Sequence, residues 1–359
     1  MHLSGRPMTA PRYAVPELVE FARAMLARVG LRDDIARDVA EMLVEADLMG
    51  HTTHGLALLA AYLGELDKGA MAKDGAPVVT ERRDATQMWD AGRLPGPWVT
   101  LRAFDAATEM AKAAGTGTVV VRRSHHIAAL AAYLPRITAA GNMALLYCSD
   151  PNVKSVAPFG GVTSVFTPNP FAAGIPTSGD PILLDISASY TTNGLTSRLH
   201  AAGEKLPHRW LQDAQGNATD DPAVLFGENQ GTLLPLGGLE AGHKGYALAL
   251  LVEALTAGLA GFGRADPKEG WGATLFVQVL DPEAFGGREA LLRQMDFIVQ
   301  ACHDATPRPG APRVRLPGER AMASHREGMA HGVALYSTIM PSLAPWAQKL
   351  GVAIPAGSA

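Results

Sequence analysis

Two patterns of apolar and polar positions divide the chain. Near both ends, apolar residues recur at three- and four-residue spacing, which is typical of amphipathic helices. In the middle, short apolar runs are bounded by Gly, Pro, Asn and Asp, which is typical of strands and turns. The spacing predicts helices at residues 15–29, 33–48, 56–66, 98–114, 127–140, 244–260, 288–302 and 327–350. The short runs predict strands at residues 118–121, 143–147, 171–175, 181–186 and 274–280.

This arrangement predicts an α/β protein with a mixed sheet. The mixed-sheet domain, residues 77–287, is inserted between N- and C-terminal helical segments, residues 1–76 and 288–359, which together form a helical domain. A chain of 359 residues is long enough for two domains or for one large domain with a substantial core. Asp33 is a candidate N-cap for the second helix.

Composition narrows the class of protein. Hydrophobic residues make up 47% of the chain and charged residues 18%, a balance too apolar for a disordered protein. The net charge is −4 with acids and bases interspersed, so no sequence-wide field favours nucleic acid or an anionic membrane. The chain has two cysteines, Cys148 and Cys302, which excludes a disulfide framework. Their apolar surroundings predict buried free thiols in a reducing compartment.

The same features bear on location. Residues 1–13 have no apolar core, so we do not expect them to form a signal peptide. The most apolar run, residues 246–259, is interrupted by Glu253 and is too short to cross a bilayer. We therefore predict a cytoplasmic protein that has neither a membrane nor a nucleic-acid partner.

The most informative segment is the polar hinge Gly50-His51-Thr52-Thr53-His54-Gly55, between two predicted helices. Histidine titrates nearest neutral pH and is the commonest proton donor or acceptor in enzymes. His51 and His54 share one helical face, which admits a metal site. Zinc helices, however, usually space their histidines by four with a glutamate between them, whereas threonines stand here. We therefore predict a structural role for His51 and no metal site. At this point His54 is either an acid–base residue or a residue that caps or packs against the following helix.

A second histidine pair, His125 and His126, follows a predicted strand and opens the helix predicted at 127–140. Helix N-termini attract anions such as a pyrophosphate, because their backbone N–H groups are free. Arg122 and Arg123, just before the pair, favour this interpretation. The alternative is a solvent-facing pair beside ordinary surface charges.

Two further charged residues stand at element boundaries. Asp185 ends an apolar run, where an acid can orient a histidine, hold a ribose or cap a turn. Lys244 precedes a long predicted helix, where it meets either a cofactor phosphate or solvent. No GxGxxG lies between a strand and a helix, so we expect no standard Rossmann site. The residues alone predict an α/β enzyme with a histidine-centred site, with a metal-dependent hydrolase built on the two histidine pairs as the alternative class.

Eight short motifs follow one another in a fixed order between residues 15 and 350. They are Ala46-Asp47-Leu48 with the hinge, Ser124-His125-His126-Ile127-Ala128-Ala129-Leu130, Pro158-Phe159-Gly160-Gly161, Asn169-Pro170, Asp185 with Ser187 and Ser189, Leu234-Pro235-Leu236-Gly237-Gly238, His243-Lys244-Gly245-Tyr246, and Leu316-Pro317-Gly318-Glu319-Arg320. In this order they resemble the malate/L-lactate dehydrogenase family of the non-Rossmann type. That family includes ureidoglycolate and sulfolactate dehydrogenases, diketogulonate reductase and the piperideine- and pyrroline-2-carboxylate reductases.

The resemblance implies a homodimeric oxidoreductase that uses NAD or NADP and has an α/β NAD(P)-binding fold unlike the Rossmann fold. It makes His54 the proton donor and acceptor, gives Asp185 a charge-relay role, and places Thr53 where the family usually has serine. It assigns the cofactor to His126, Ile127, Ala128, Ser187, Ala188, Ser189, Lys244, Gly245, Gly318, Glu319 and Arg320. It assigns the substrate to Leu58, His125 and Asn169.

The expected substrate site is where the chain departs from the family. Four residues after the catalytic histidine, the family usually has an arginine that binds the substrate carboxylate, and here that residue is Leu58. A hydrogen bond to a charged group contributes about 1.5–3 kcal/mol. Either another cation therefore binds the carboxylate, or the substrate is less anionic or more apolar. Pro168 also departs from the threonine that usually precedes Asn-Pro in the family.

We predict hydride transfer between a nicotinamide and a small 2-oxo acid/2-hydroxy acid pair. Reduction of a cyclic imino acid is the second prediction, because the run from His125 to Leu130 is closer to the cyclic-imine reductases than to the malate branch. A non-catalytic homologue is disfavoured, because the chain has both His54 and Asp185.

Overall fold

A computed structural model describes residues 11–358 of the chain. The helices are α1 (Val15–Arg28), α2 (Asp33–Leu48), α3 (Leu59–Asp67), α4 (Gly96–Ala114), α5 (Leu134–Ala139), α6 (Asn193–Ala202), α7 (Gly238–Ala241), α8 (His243–Glu253), α9 (Arg288–Asp304), α10 (Glu319–His331) and α11 (Ile339–Leu350). The strands are β1 (Arg12–Tyr13), β2 (Val78–Arg83), β3 (Thr86–Asp90), β4 (Thr116–Ser124), β5 (Met143–Ser149), β6 (Pro170–Ile175), β7 (Ile182–Ser187), β8 (Leu211–Gln212), β9 (Ala218–Thr219), β10 (Thr232–Leu233), β11 (Ala273–Leu280) and β12 (Val333–Ala334).

Seven of these strands form one sheet in the order β2-β3-β4-β11-β5-β6-β7. The pair β3–β4 is parallel, whereas every other neighbouring pair is antiparallel. The central strand β11 is rich in β-branched and aromatic residues and is largely buried, which suits a strand covered on both faces. The predicted α/β fold with a mixed, non-Rossmann sheet is confirmed. The edge strand β7 carries Asp185.

Helices cover the sheet and continue its core. Leu18 of α1, Phe104 of α4, Leu275 of β11 and Leu343 of α11 belong to one contiguous buried cluster. A smaller cluster, which includes Leu199 of α6, joins that helix to the three-stranded sheet β10-β8-β9. The division into a helical domain (1–76 with 288–359) and a mixed-sheet domain (77–287) stays a prediction.

One predicted helix is wrong, and it bears on the site. Residues 127–140 are not a single helix: an irregular stretch leads to a 3-10 turn at Leu130–Tyr133, and α5 follows. The backbone polar groups of this stretch are satisfied by side chains instead. Ala128 N donates to His126 Nδ1 at 3.2 Å, and the Tyr133 hydroxyl donates to Ile127 O at 2.5 Å. His125 and His126 therefore do not open a helix, and the anion site predicted at a helix N-terminus is absent from this stretch.

Other boundaries differ in smaller ways. Arg32, not Asp33, is the N-cap of α2, and Asp33 is its first residue. The helix predicted at 244–260 gives way after Glu253 to a π-helical turn, Ala254–Gly258. The helix predicted at 327–350 is divided into α10 and α11, because Gly332 has φ +81° and a short strand follows it.

Two further sequence predictions have structural counterparts. Cys148 is buried in β5, whereas Cys302 on α9 is only partly buried, so the second thiol is not fully enclosed as predicted. Within residues 11–358, no helix is both long and apolar enough to span a membrane. Residues 1–13, which were predicted not to form a signal peptide, lie mostly outside the described residues.

Candidate active site

The hinge between α2 and α3 is fixed by a buried carboxylate. Asp47, near the end of α2, is 2% exposed and accepts a hydrogen bond from Leu56 N at 2.7 Å. This bond satisfies a backbone donor at the start of the 3-10 turn Leu56–Leu58. A Cβ at position 55 would overlap the same carboxylate, so only glycine fits there. The chain therefore turns sharply between the two helices and leaves His54 on the surface of the turn.

His54 is partly exposed, and a neighbouring hydroxyl holds its ring. Nδ1 lies 2.8 Å from Thr53 Oγ1, which leaves Nε2 available to another partner. The pKa of His54 is lowered to about 4, mainly by burial; the negative charge of Asp185 opposes this change, and the charges of His51 and Arg198 contribute to it. His54 is therefore neutral near pH 7, and its unprotonated ring nitrogen can accept a proton.

Asp185 reaches the site from the edge strand β7. Its Oδ2 accepts a hydrogen bond from Ala131 N at 2.8 Å, at the 3-10 turn that follows the second histidine pair. Among the described residues, no hydrogen bond joins Asp185 to His54. The carboxylate instead acts on His54 through its charge, which raises the pKa of the histidine. This interaction stabilises an imidazolium at position 54 whenever a proton arrives.

His126 lies beside His54 in an aromatic group. Its ring is nearly parallel to that of His54 at a centroid distance of 5.9 Å and lies 4.7 Å from that of Trp271. Tyr62 OH lies 2.9 Å from Nδ1 and 3.1 Å from the carbonyl oxygen of His126. Because Ala128 N donates to Nδ1, the proton of the neutral ring is on Nε2. Burial holds the pKa of His126 well below its usual value, so the ring stays uncharged.

His125 is fully buried behind this group. Its Nε2 lies 3.3 Å from Glu65 Oε2, and its ring meets Trp271 edge-on at 5.1 Å. A carboxylate only accepts hydrogen bonds, so Nε2 carries the proton. Burial lowers the pKa of His125 to about 4, while Glu65 opposes that change. His125 therefore lies behind the aromatic group, and its Nε2 faces Glu65.

Helix α6 packs over the hinge at a glycine. A Cβ at Gly194 would lie 3.4 Å from Thr53 Cβ and 3.8 Å from His54 Cε1, which is ordinary contact distance. One turn later on α6, Arg198 donates from Nη1 to Thr52 Oγ1 at 2.9 Å and from Nη2 to Thr52 O at 2.6 Å. Arg198 was not predicted from the sequence. No local motif marks it, because its partner lies 146 positions earlier in the chain.

Several predicted cofactor residues converge along β7. Ala188, just after the strand, accepts a hydrogen bond from Leu236 N at 2.8 Å, and Gly245 packs against both residues too closely to admit a Cβ. At the other end of the strand, Leu183 N donates to Pro317 O at 3.1 Å, which brings the segment 318–320 to the same edge. Ser187 and Ser189 flank Ala188, so both groups of predicted residues border one strand.

The charged residues of this region differ in their partners. Glu319 is bound by His303 and Arg313, whereas no carboxylate of the described residues lies within 4 Å of Lys244 or Arg320. Both of these cations are exposed. Lys244 lies inside the first turn of α8 rather than before the helix.

Arg122 and Arg123 were predicted to favour an anion beside the second histidine pair. In the structure, both form ion pairs with carboxylates of the protein. Arg122 Nε lies 3.0 Å from Asp90 Oδ2, and Arg123 Nε lies 3.2 Å from Glu269 Oε2. Their charges are already compensated by these carboxylates. They give no additional support to an anion site at His125 and His126.

The predicted substrate residues Leu58 and Asn169 have contrasting surroundings. Leu58 ends the 3-10 turn after the hinge and is half-buried against the main core. Asn169 is fully buried, with φ +46°, and its Nδ2 donates to Ala249 O at 3.1 Å and Glu253 Oε1 at 3.0 Å. Pro170 pairs with Ser187, so Asn169 lies beside the segment Ser187–Ser189.

No three or more His, Cys, Asp or Glu side chains come together within residues 11–358 in a way that would hold a metal ion. The fold and the site define the class first: an α/β protein with a mixed, non-Rossmann sheet and a neutral histidine in the field of a carboxylate. Comparison with known proteins then narrows that class to a family.

Residues 13–344 match the family described as malate/L-lactate dehydrogenase. An L-lactate dehydrogenase of Cupriavidus necator is 34% identical over 343 residues, 94% of this chain and 97% of that protein. A Delta(1)-pyrroline-2-carboxylate/Delta(1)-piperideine-2-carboxylate reductase of Pseudomonas syringae pv. tomato is 29% identical over 331 residues, 89% of this chain and 92% of that protein. The solved malate dehydrogenase of Pyrococcus horikoshii matches with a TM-score of 0.88 at 24% identity, covering 98% of this chain and 99% of that one.

The chain therefore belongs to the malate/L-lactate dehydrogenase family, and the resemblance seen in the sequence is confirmed. It is an oxidoreductase. This membership favours the dehydrogenase prediction over the metal-dependent hydrolase.

Proposed function

We propose that the protein transfers hydride between NAD(P) and a small 2-oxo acid/2-hydroxy acid pair, with His54 as the proton donor and acceptor. The observation that carries the proposal is the state of His54. The ring of His54 is neutral and partly exposed. Its Nδ1 contacts the Thr53 hydroxyl, and the negative charge of Asp185 acts on it. Relatives named for lactate, malate and sulfolactate support the substrate class.

The residues along β7 fit a dinucleotide. Lys244 and Arg320 are exposed cations with no described carboxylate partner, and they suit a pyrophosphate or a further phosphate. Asn169 Oδ1 and Thr191 Oγ1 are buried and have no hydrogen-bond partner among the described residues. Both flank the segment Ser187–Ser189, where a ligand with polar edges would satisfy them. When bound, the nicotinamide supplies or accepts the hydride.

The chain's own residues donate and accept the proton that accompanies hydride transfer. In the reduction direction, His54 first takes a proton from solvent. Its Nε2–H then donates to the substrate oxygen, while Nδ1–H donates to Thr53 Oγ1. In the oxidation direction, Nε2 takes the proton back from the hydroxyl. The charge of Asp185 stabilises the imidazolium in both directions. Thr53 keeps the ring oriented, so that one nitrogen always faces the substrate.

The aromatic group beside His54 serves as an uncharged wall. His126 and His125 are both held neutral by burial, and Tyr62 and Trp271 complete the packing. A flat, uncharged surface of this kind suits a nicotinamide ring.

Reduction of a cyclic imino acid is a second candidate. Leu58 stands where the family usually has a carboxylate-binding arginine, and a half-buried leucine suits a substrate with an apolar ring. The relative from Pseudomonas syringae named as a piperideine- and pyrroline-2-carboxylate reductase supports this candidate. The proton step at His54 is the same, with the imine nitrogen in place of the carbonyl oxygen.

We also propose that the protein forms a homodimer and is located in the cytoplasm. Leu250 and Leu251 on α8, with Leu259 beyond it, are exposed apolar side chains that favour a homodimer. Analytical ultracentrifugation at several protein concentrations tests this assembly. A cytoplasmic location is supported by the two cysteines of the sequence, which are free thiols in the structure.

Titration of the purified protein with NADH and with NADPH tests the proposal, with the change in nicotinamide fluorescence as the readout. We expect micromolar binding of at least one of the two, followed by oxidation of that cofactor in a screen of 2-oxo acids and cyclic imines. The screen decides between the two candidate substrates. Absence of binding by both cofactors would contradict the proposed function.

A further inference from the structure

We infer that Arg198, on α6, binds the carboxylate of the substrate and takes over the task of the cation expected at position 58. The inference rests on the proposed function and deepens it, because it makes the substrate an anion despite Leu58. Four observations carry it: the helical phase of Arg198, its anchoring at the hinge, its unused hydrogen-bond donors, and its half-buried charge.

The helical phase places Arg198 on the side of α6 that faces the catalytic hinge. Gly194 on the same helix comes within contact distance of Thr53 and His54. Residues four positions apart lie on one face of a helix, one turn along from each other. Arg198 therefore follows Gly194 along the hinge, and its two hydrogen bonds to Thr52 show that its head group reaches the hinge.

The guanidinium is held in a defined orientation. Nη1 and Nη2 donate to the hydroxyl and carbonyl oxygens of Thr52, and the Arg198 head group lies 4.1 Å from the centroid of the Tyr336 ring. The face of the guanidinium stacks on Tyr336, and one of its edges donates the two hydrogen bonds to Thr52. Both contacts restrict the side chain before any ligand binds. A preorganised cation loses little conformational entropy when it binds an anion.

Enough donors remain for a carboxylate. A guanidinium has five N–H groups in a planar fork, and the contacts with Thr52 use two of them. The remaining three include Nε–H, so a carboxylate can bind along a free edge of the fork in a bidentate manner. Leu58 offers no such group, and Arg122 and Arg123 are already paired with Asp90 and Glu269.

The charge of Arg198 is half-buried. No carboxylate of the described residues lies within 4 Å of the guanidinium, and Asp47 acts on it only at longer range. Burial lowers the pKa of Arg198, whereas Tyr336 and Asp47 oppose that change. Burying a cation costs free energy unless an anion pairs with it. We therefore expect the substrate carboxylate to be the anion that pairs with Arg198.

The position also links substrate binding to proton transfer. In a 2-oxo acid, the carboxylate is bonded directly to the carbonyl carbon, so a carboxylate held at Arg198 brings the carbonyl oxygen towards the neighbouring His54. Arg198 also lowers the pKa of His54 through its charge. A bound carboxylate compensates this charge, so substrate binding makes His54 easier to protonate.

Steady-state kinetics with a 2-oxo acid and its uncharged amide, 2-oxobutyrate and 2-oxobutyramide, test the inference on the full-length protein. The variant Arg198→Gln should lower kcat/KM for the acid by about 10- to 150-fold, the loss expected for a charged hydrogen bond. The loss should appear mainly as a higher KM. The loss with the amide should be much smaller than the loss with the acid, because the amide places no charge at Arg198.

Two further variants complete the design. Arg198→Lys keeps the charge but not the bidentate fork, so its kcat/KM for the acid should fall between those of the wild type and of Arg198→Gln. Arg209→Gln removes an exposed arginine beyond the end of α6 and should leave both substrates unaffected. The NADH dissociation constant is measured for every variant and should not change.

The outcomes separate the inference from the proposed function. An Arg198→Gln enzyme that loses equal activity with acid and amide, or loses none with either, overturns the inference while the oxidoreductase remains active. A wild-type protein that binds neither NADH nor NADPH removes the proposed function itself. A selective loss with the acid, together with unchanged NADH binding, supports the assignment of Arg198.

Discussion

The two histidine pairs look alike in the sequence and differ in the structure. Each pair follows an ordered element and stands before a short helical turn. His54 lies on the hinge, partly exposed, with one ring nitrogen tied to a hydroxyl and the charges of Asp185 and Arg198 acting on it. His125 and His126 are instead packed among Tyr62 and Trp271, and their ring nitrogens contact groups of the protein.

The difference shows that the surroundings of a histidine, more than its spacing, decide what it can do. All three rings are neutral near pH 7 because burial lowers their pKa. At His54, however, a nearby carboxylate stabilises the protonated form and Nε2 is available to a substrate. The second pair has no such combination, so it forms a wall, whereas the hinge histidine transfers the proton.

The largest expected effect comes from removing the proton carrier. His54→Asn keeps a polar side chain of similar size but has no group that titrates near neutral pH. Proton transfer by a positioned side chain typically contributes about 10²- to 10⁴-fold. We expect kcat to fall by that factor, while NADH or NADPH binding, measured by fluorescence titration, stays close to the wild type.

The hinge histidine His51 provides a matched control, because it is the other member of the same pair. His51→Asn should retain most of the activity, since we expect a structural role at that position. A His54→Asn enzyme with more than about a tenth of wild-type kcat would remove His54 as the acid–base residue.

Acid pH should destabilise the protein through its buried histidines. Their pKa values in the folded state lie below the ordinary value of 6.5, and burial lowers those of His54 and His125 to about 4. As the pH falls below 6.5, these side chains bind protons in the unfolded state and not in the folded one. The free energy of unfolding therefore decreases between pH 6.5 and 4, by about 1.4 kcal/mol per pH unit for each such histidine.

Urea denaturation followed by circular dichroism at several pH values measures this slope. His125→Gln should reduce the slope by the contribution of one histidine, about 1.4 kcal/mol per pH unit, because position 125 no longer titrates. His208→Gln, which changes an exposed histidine, is the control and should leave the slope unchanged. Equal slopes for the wild type and His125→Gln would show that His125 is not held neutral in the folded protein.

The fold was predictable where periodicity and burial agree. Helix α2 has the bounds predicted from its apolar spacing, because its apolar residues all face one core. The hairpin of β2 and β3 was not predicted, because every residue of β2 is exposed and no alternation marks it. The helix predicted at 127–140 failed because Tyr133 and His126 satisfy the backbone by contacts that spacing does not reveal.

The site was predictable only in part, for a similar reason. Local pattern singled out the hinge with His54 and the strand end with Asp185, and the resemblance named cofactor residues, several of which border β7 in the structure. The aromatic wall and Arg198 depend on contacts between distant parts of the chain, such as Arg198 with Thr52 or Tyr62 with His126. Side chains of this kind have no signature in a single sequence.

A smaller effect is expected from the hydroxyl that orients His54. Thr53→Val keeps the shape of the side chain and removes the bond to Nδ1, so the ring loses its fixed orientation. A neutral hydrogen bond contributes about 0.5–1.5 kcal/mol, which corresponds to about a 2- to 12-fold loss of kcat. Thr53→Ser keeps the hydroxyl and should behave like the wild type. Equal activity of the serine and valine variants would show that the hydroxyl does not orient His54.

The smallest effect should come from the aromatic wall, and it should appear in stability more than in catalysis. Tyr62→Phe removes one hydroxyl that contacts His126 Nδ1 and the His126 carbonyl, while Ala128 N still donates to Nδ1. We expect the free energy of unfolding to fall by about 0.5–1.5 kcal/mol and kcat to stay within about twofold. Urea denaturation and steady-state kinetics measure the two quantities on one sample. A Tyr62→Phe enzyme of unchanged stability with a large loss of kcat would place Tyr62 in the proton path and remove the distinction between wall and hinge.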